Sequence, residues 1–165
     1  MIPRAHPPGT AVVLAHRYLR CLSGEKVCSW ALSALEAGYD AESLRILAAM
    51  SLERPPVYSE VEHWFLRSLA ELQIAVPEER DVVLRACMTE IAEDLASGRA
   101  AVDEALDTIH SCVVSPLGHP QDLMGWCFLW EGNSANGEGE LPDSQREVAV
   151  RKFAREWLSG STHAA

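Results

Sequence analysis

The 165-residue sequence predicts an all-α fold, a compact multi-helix bundle of about seven to eight short helices. Three observations predict it. Apolar residues recur at helical spacing in one segment after another. Helix punctuation (Ser-Gly, Pro-Pro, single Gly) separates those segments. No alternating apolar–polar run is long enough for a strand, and no fixed-period repeat is present. Nearly half the chain (48%) is apolar, enough to fill a core without disulfide or metal staples.

The expected organisation is a flexible N-terminal arm over residues 1–9, a single helical domain over 10–158 and a frayed tail over 159–165. The first helix is expected from Thr10, its cap, to Leu22, with Ala11, Leu14, Ala15, Tyr18 and Leu22 inward. Ser23-Gly24 breaks the chain before a helix carrying Val27, Trp30, Ala31, Ala34 and Leu35, stopped at Gly38. Asp40 is expected to cap the next helix, which is apolar over most of its girth and ends at Arg54-Pro55-Pro56. Ser59 with Glu62 spells a capping box for a helix burying Val61, Phe65, Leu69 and Leu72. Pro77 opens a helix with Leu84, Cys87, Met88, Ile91 and Leu95, closed by Ser97-Gly98. The stripe Val102, Ala105, Leu106, Ile109, Val113 follows. After a Pro-rich connector come a short apolar helix over 122–130 and a Gly- and Asn-rich loop. A final helix is expected to start on the capping box Ser144–Glu147, bury Val150, Phe153, Ala154 and Trp157, and turn its basic residues outward.

The net charge of −10 is uneven. Residues 36–107 hold 16 acids against 6 arginines, while the ends hold 8 of each sign. An acidic body repels phosphate and anionic lipid, which argues against nucleic-acid and membrane partners and for a basic protein partner. Five cysteines, an odd number with no C-x-x-C pair, argue against a zinc or redox motif. Cys21, Cys87, Cys112 and Cys127 lie on or beside apolar faces and are expected to be buried free thiols of a reducing cytoplasm. No signal-peptide pattern or transmembrane-length run is present.

No catalytic residue is assigned, because nucleophile elbows, P-loops and dinucleotide fingerprints are all missing. The sharpest catalytic alternative is a helical metal-dependent enzyme using Glu60 with His63 and Asp107 with His110, since such pairs project two ligands from one helix face. The helical wheel turns these pairs away from the apolar stripes, so the expected metal and cofactor content is none. His6, His16, His119 and His163 stand at no recognised ligand spacing.

Two features point to protein binding. Glu90, Glu93 and Asp94 approach a helix C-terminus, where acids are unfavourable, and with Asp103 and Asp107 they could form an acidic wall. The segment 122–130 is apolar all round, so it is either core or a contact surface anchored by Trp126 or Trp130. The expectation is a non-enzymatic protein-binding protein, of inhibitor or immunity type, that neutralises a basic partner. The alternative of the same class is a structural homodimer packed through Trp126–Trp130.

The phrases Gly38–Ala48, Glu60–Phe65, Leu69–Leu72 and Pro120–Leu123 resemble phrases of bacterial all-helical hypothetical proteins without assigned activity. The resemblance extends from Gly38 to Trp130 and implies a helical bacterial protein. It carries over no catalytic or binding residue. Twelve arginines against two lysines fit a GC-rich source.

Overall fold

The computed structural model describes residues 6–53 and 57–161. It is all-α, as the periodicity predicts. Eight α-helices occur among the described residues: α1 (Thr10–Tyr18), α2 (Gly24–Glu36), α3 (Glu42–Glu53), α4 (Tyr58–Glu71), α5 (Arg80–Ser97), α6 (Val102–Ile109), α7 (Met124–Trp130) and α8 (Asp143–Ser161). A π turn, His110–Val114, prolongs α6, and a 3-10 turn, Gln121–Leu123, leads into α7. None of these helices is long and apolar enough to cross a membrane. The chain forms two compact units, residues 1–80 and 81–165. The expected Arg54-Pro55-Pro56 break and most of the expected tail lie outside the described residues.

Unit one packs α1–α4 on Trp30 and Phe65, which meet edge-on with ring centroids 5.0 Å apart. Leu44, Leu47, Val61 and Leu69 are fully buried around them. The Trp30 indole N–H donates to Thr10 Oγ1 at 3.1 Å, and Thr10 Oγ1 donates to the Pro7 carbonyl at 2.6 Å. Pro7 is buried, so the second half of the expected arm is docked; residues 1–5 lie outside the described part. Thr10 therefore serves as a buried hydrogen-bond relay, and α1 is preceded by Gly9 at φ 79° with no side-chain cap.

Several expected caps are replaced by contacts across the fold. The backbone N–H and hydroxyl of Ser43, at the start of α3, both donate to the Glu71 carboxylate, at 3.1 and 2.7 Å. These bonds hold the Glu71 carboxyl below its usual range, with Arg67 adding to the effect. Asp40 instead pairs with Arg45. Ser59 caps nothing, because α4 begins a residue earlier behind Val57, and Glu62 pairs with Arg17 at 2.8 Å. Likewise α8 starts before Ser144, and Glu147 pairs with Arg151. Ser23 does cap α2, accepting from the Lys26 N–H. α1 stops at Tyr18 rather than Leu22, because Arg20 turns left-handed at φ 56°. Cys21 is thereby exposed, against expectation, while Cys28, Cys87, Cys112 and Cys127 are buried free thiols.

Unit two holds Leu84, Leu95, Leu106, Ile109, Val113, Trp126 and Leu129 in its core. Trp126 meets Phe153 and Trp157 edge-on, at 4.9 and 6.1 Å. Close packing there needs Gly125, since a Cβ would stand 2.6 Å from Phe153 Cζ and 3.2 Å from the Ala135 carbonyl oxygen. The basic face of α8 does not turn simply to solvent. Arg151 donates to the carbonyls of Leu95 and Ala100, at 2.8 and 3.2 Å, and Arg155 to that of Ala96, at 3.3 Å. These arginines close the C-terminus of α5, whose last carbonyls have no partner in their own helix. Arg151→Ala should lower the unfolding free energy by about 1–3 kcal/mol, the usual worth of charge-assisted bonds to buried carbonyls, as measured by urea denaturation.

Candidate metal centre

The chain reverses after α6 by a specific route. The π turn widens the last helical turn and carries His110 at its first position. The π turn ends at Val114, and the reversal is completed at Gly118 and His119, both left-handed at φ 78° and 56°, with the His119 N–H returning to the Val114 carbonyl at 2.9 Å. Pro120 then restarts the chain towards α7. Glycine takes this conformation freely, whereas for histidine it is a strained one that the surroundings must hold. The result is a convergence of His110, His119 and Cys127, whose ligating atoms all lie within 4.8 Å of one another.

The three donors differ in exposure. Cys127 is buried in α7, His110 is half-buried and His119 is exposed, so the cluster opens towards water on the His119 side. Burial pushes the Cys127 thiol above its ordinary value, and the negative charge of Glu131 adds to the rise. The thiol is therefore a neutral group that a metal ion would have to deprotonate. A tetrahedral zinc-type ion, with bonds of about 2.0–2.3 Å, sets its ligand atoms roughly 3.3–3.6 Å apart, so contraction by ~1 Å would complete three bonds.

Second-sphere contacts fix the orientation of His110. Its ring stacks on Trp130, with centroids 3.8 Å apart and planes 4° from parallel. The Trp130 indole N–H donates to Asp107 Oδ1 at 2.8 Å. Asp107 thus steers His110 through an aromatic plate, and Asp107, His110 and Trp130 are joined in a way their spacing does not reveal. His110 and His119 stand with ring centroids 6.0 Å apart.

The residues expected to form an acidic, Trp-anchored partner face are only partly at the surface. Glu90 is 4% exposed and Trp126 fully buried, which removes both from any surface in this fold. Asp94 pairs with Arg99 at 2.7 Å and Asp103 with Arg146 at 2.9 Å, each within unit two. Glu93, Asp107 and Trp130 are exposed. The placement of Asp94 near a helix C-terminus, read as a sign of binding, is offset by Arg99 and by the arginines that close α5. Of the metal alternative, Glu60 and His63 are exposed on α4, opposite the buried Val61, Phe65 and Leu69. They belong to unit one, and Asp107 and His110 to unit two, so neither unit contains the set. His110 does join a cluster of ligating groups, but with His119 and Cys127, two residues the sequence offers as loop and core. Their intervals of nine and eight residues match no ligand motif; the one local hint is Gly118, which marks a reversal beside His119.

No protein-family model, curated protein or solved structure matches the chain.

His119→Gly tests whether the strained position serves packing or the centre. Glycine should leave the stability of the metal-free chain unchanged or raise it by up to about 1 kcal/mol, read by urea denaturation, because an exposed left-handed residue is relieved of strain.

Proposed function

We propose that this chain binds one transition-metal ion of the zinc class, with His110, His119 and Cys127 as ligands. The observation that supports the reading most is the convergence of two imidazoles and one buried thiol from three separate segments, one held in a left-handed conformation. Two nitrogens and a sulfur suit zinc, a borderline-soft ion, and disfavour calcium and magnesium, which take oxygen. The stack of Trp130 on His110, fastened by Asp107, supplies the outer support that metal-binding imidazoles commonly have. Titration of metal-free protein with Co²⁺ should give one equivalent bound and a thiolate-to-metal band in the near ultraviolet. Cys127→Ser should abolish that band, and Trp130→Ala should weaken binding by about tenfold to a hundredfold. A wild-type chain that binds Co²⁺ without a thiolate band would refute the assignment.

A second reading, a non-enzymatic inhibitor or immunity-type protein that takes a basic protein, is favoured by one observation. Unit two holds 14 acids against 6 basic residues, a net of −8, while unit one holds 10 against 8, a net of −2. Glu93 and Glu104 stand exposed in that unit. Such a partner should be captured from host lysate at low salt and released as salt rises, since exposed charges are screened. Capture of an acidic partner, or one indifferent to salt, would exclude it.

A further inference from the structure

Three ligating side chains converge among the described residues, and a zinc-class ion takes four donors. What supplies the fourth decides what the centre is for. A fourth side chain makes the ion a structural clasp, whereas an open position lets a molecule from solution bind the ion directly. Two carboxylates close in sequence to the ligands are engaged elsewhere. Asp107, one turn before His110, accepts from the Trp130 indole N–H at 2.8 Å. Asp122, three residues after His119, accepts from Arg85 at 2.7 Å.

The three donors are graded from core to water. Cys127 is 5% exposed, His110 is half-buried and His119 is exposed. Helix α7 backs the inner two. It carries Cys127 itself, and Trp130, three residues on, stacks on His110 with centroids 3.8 Å apart. His119 stands on the other side, at the reversal. Gly118, just before it, is also exposed, and a Cβ added there would meet no atom of the described residues within 4 Å. The reversal is therefore uncovered, and an ion held between these donors borders the core on the Cys127 side and water on the His119 side.

Charge indicates what such a position would take. The thiol must lose its proton to bind, and that proton leaves to solvent. A divalent ion on two neutral imidazoles and one thiolate then keeps a net charge of +1, which a monoanion neutralises. Unit two as a whole carries a net charge of −8, which repels a large, multiply charged anion. A compact monoanion gains at contact with the ion, while the more distant acids act on it only through screening salt.

We propose that the fourth coordination position of the His110–His119–Cys127 centre is open to solution on the His119 side and takes a small monoanionic donor, with an exchangeable water in its place otherwise. The inference rests on the metal reading above. The ligand class is a compact anion with one oxygen, nitrogen or sulfur donor, and the centre is a Lewis-acid site and not a closed clasp.

Co²⁺-substituted full-length wild-type protein tests this with azide as the probe. The near-ultraviolet thiolate band should be present before and after addition. Azide should shift the visible band in a saturable, single-site titration, with the thiolate band retained. Perchlorate, an anion of equal charge that coordinates poorly, should leave the spectrum unchanged. A visible band indifferent to a large excess of azide overturns the open position while leaving the three-ligand centre intact. An equal shift with perchlorate, or loss of the thiolate band as azide strips the ion, overturns it as well. Absence of the thiolate band from the protein before any azide is added overturns the metal reading and this inference together.

Discussion

The constraint on which the structure depends is the closing of helix ends. Helices here are short, from the seven residues of α7 to the nineteen of α8. Each leaves up to four N–H and four C=O groups without a partner in its own helix, so a chain of many short helices has many such groups to satisfy. Local side-chain caps satisfy few of them. Glu71 reaches from the end of α4 to the start of α3, and Arg151 and Arg155 reach from α8 to the end of α5. Closing one helix with another's side chain makes each end dependent on the packing of its neighbour.

The same constraint shapes the candidate centre. α6 cannot run straight on, since its partner stripe ends near Val113 and α7 must pack its Trp126 face into the same core. The chain resolves this with a π turn, a left-handed Gly118 and a left-handed His119. An exposed histidine in that conformation is not part of the core, yet its ring nitrogen lies within 4.8 Å of ligating atoms of His110 and Cys127. Strain at an exposed polar residue, beside a ring clamped by a tryptophan, is easier to understand as preparation for a ligand than as a packing requirement.

The acidity of the chain takes on a different meaning in three dimensions. On sequence, Glu90 and Asp94 look like acids in electrostatically poor positions. In the fold Glu90 is buried, Asp94 holds Arg99, and arginines from α8 supply positive charge at the end of α5. Part of the acidic segment is thus architecture. What remains is a unit of net −8, a favourable field for a cation as well as for a basic protein.

The all-α class, the order of the helices and most core positions were determined by the sequence itself, because apolar spacing is a local property that burial then obeys. Val61, Phe65 and Leu69 on α4, and Ala105, Leu106 and Ile109 on α6, are buried as their spacing predicts. Gly38 and Gly98 take positive φ beyond helix ends, as stop signals should. The caps differ from expectation at Ser59, Asp40 and Ser144, since a short polar side chain competes with partners that no local window contains. Left-handed stops at Arg20 and Gln73 carry no sequence signal, for no glycine marks them. The proposed ligand set belongs wholly to the second category. His110, His119 and Cys127 lie on a helix extension, a loop and a buried helix face, and only the reversal of the chain between α6 and α7 brings their atoms within 4.8 Å of one another.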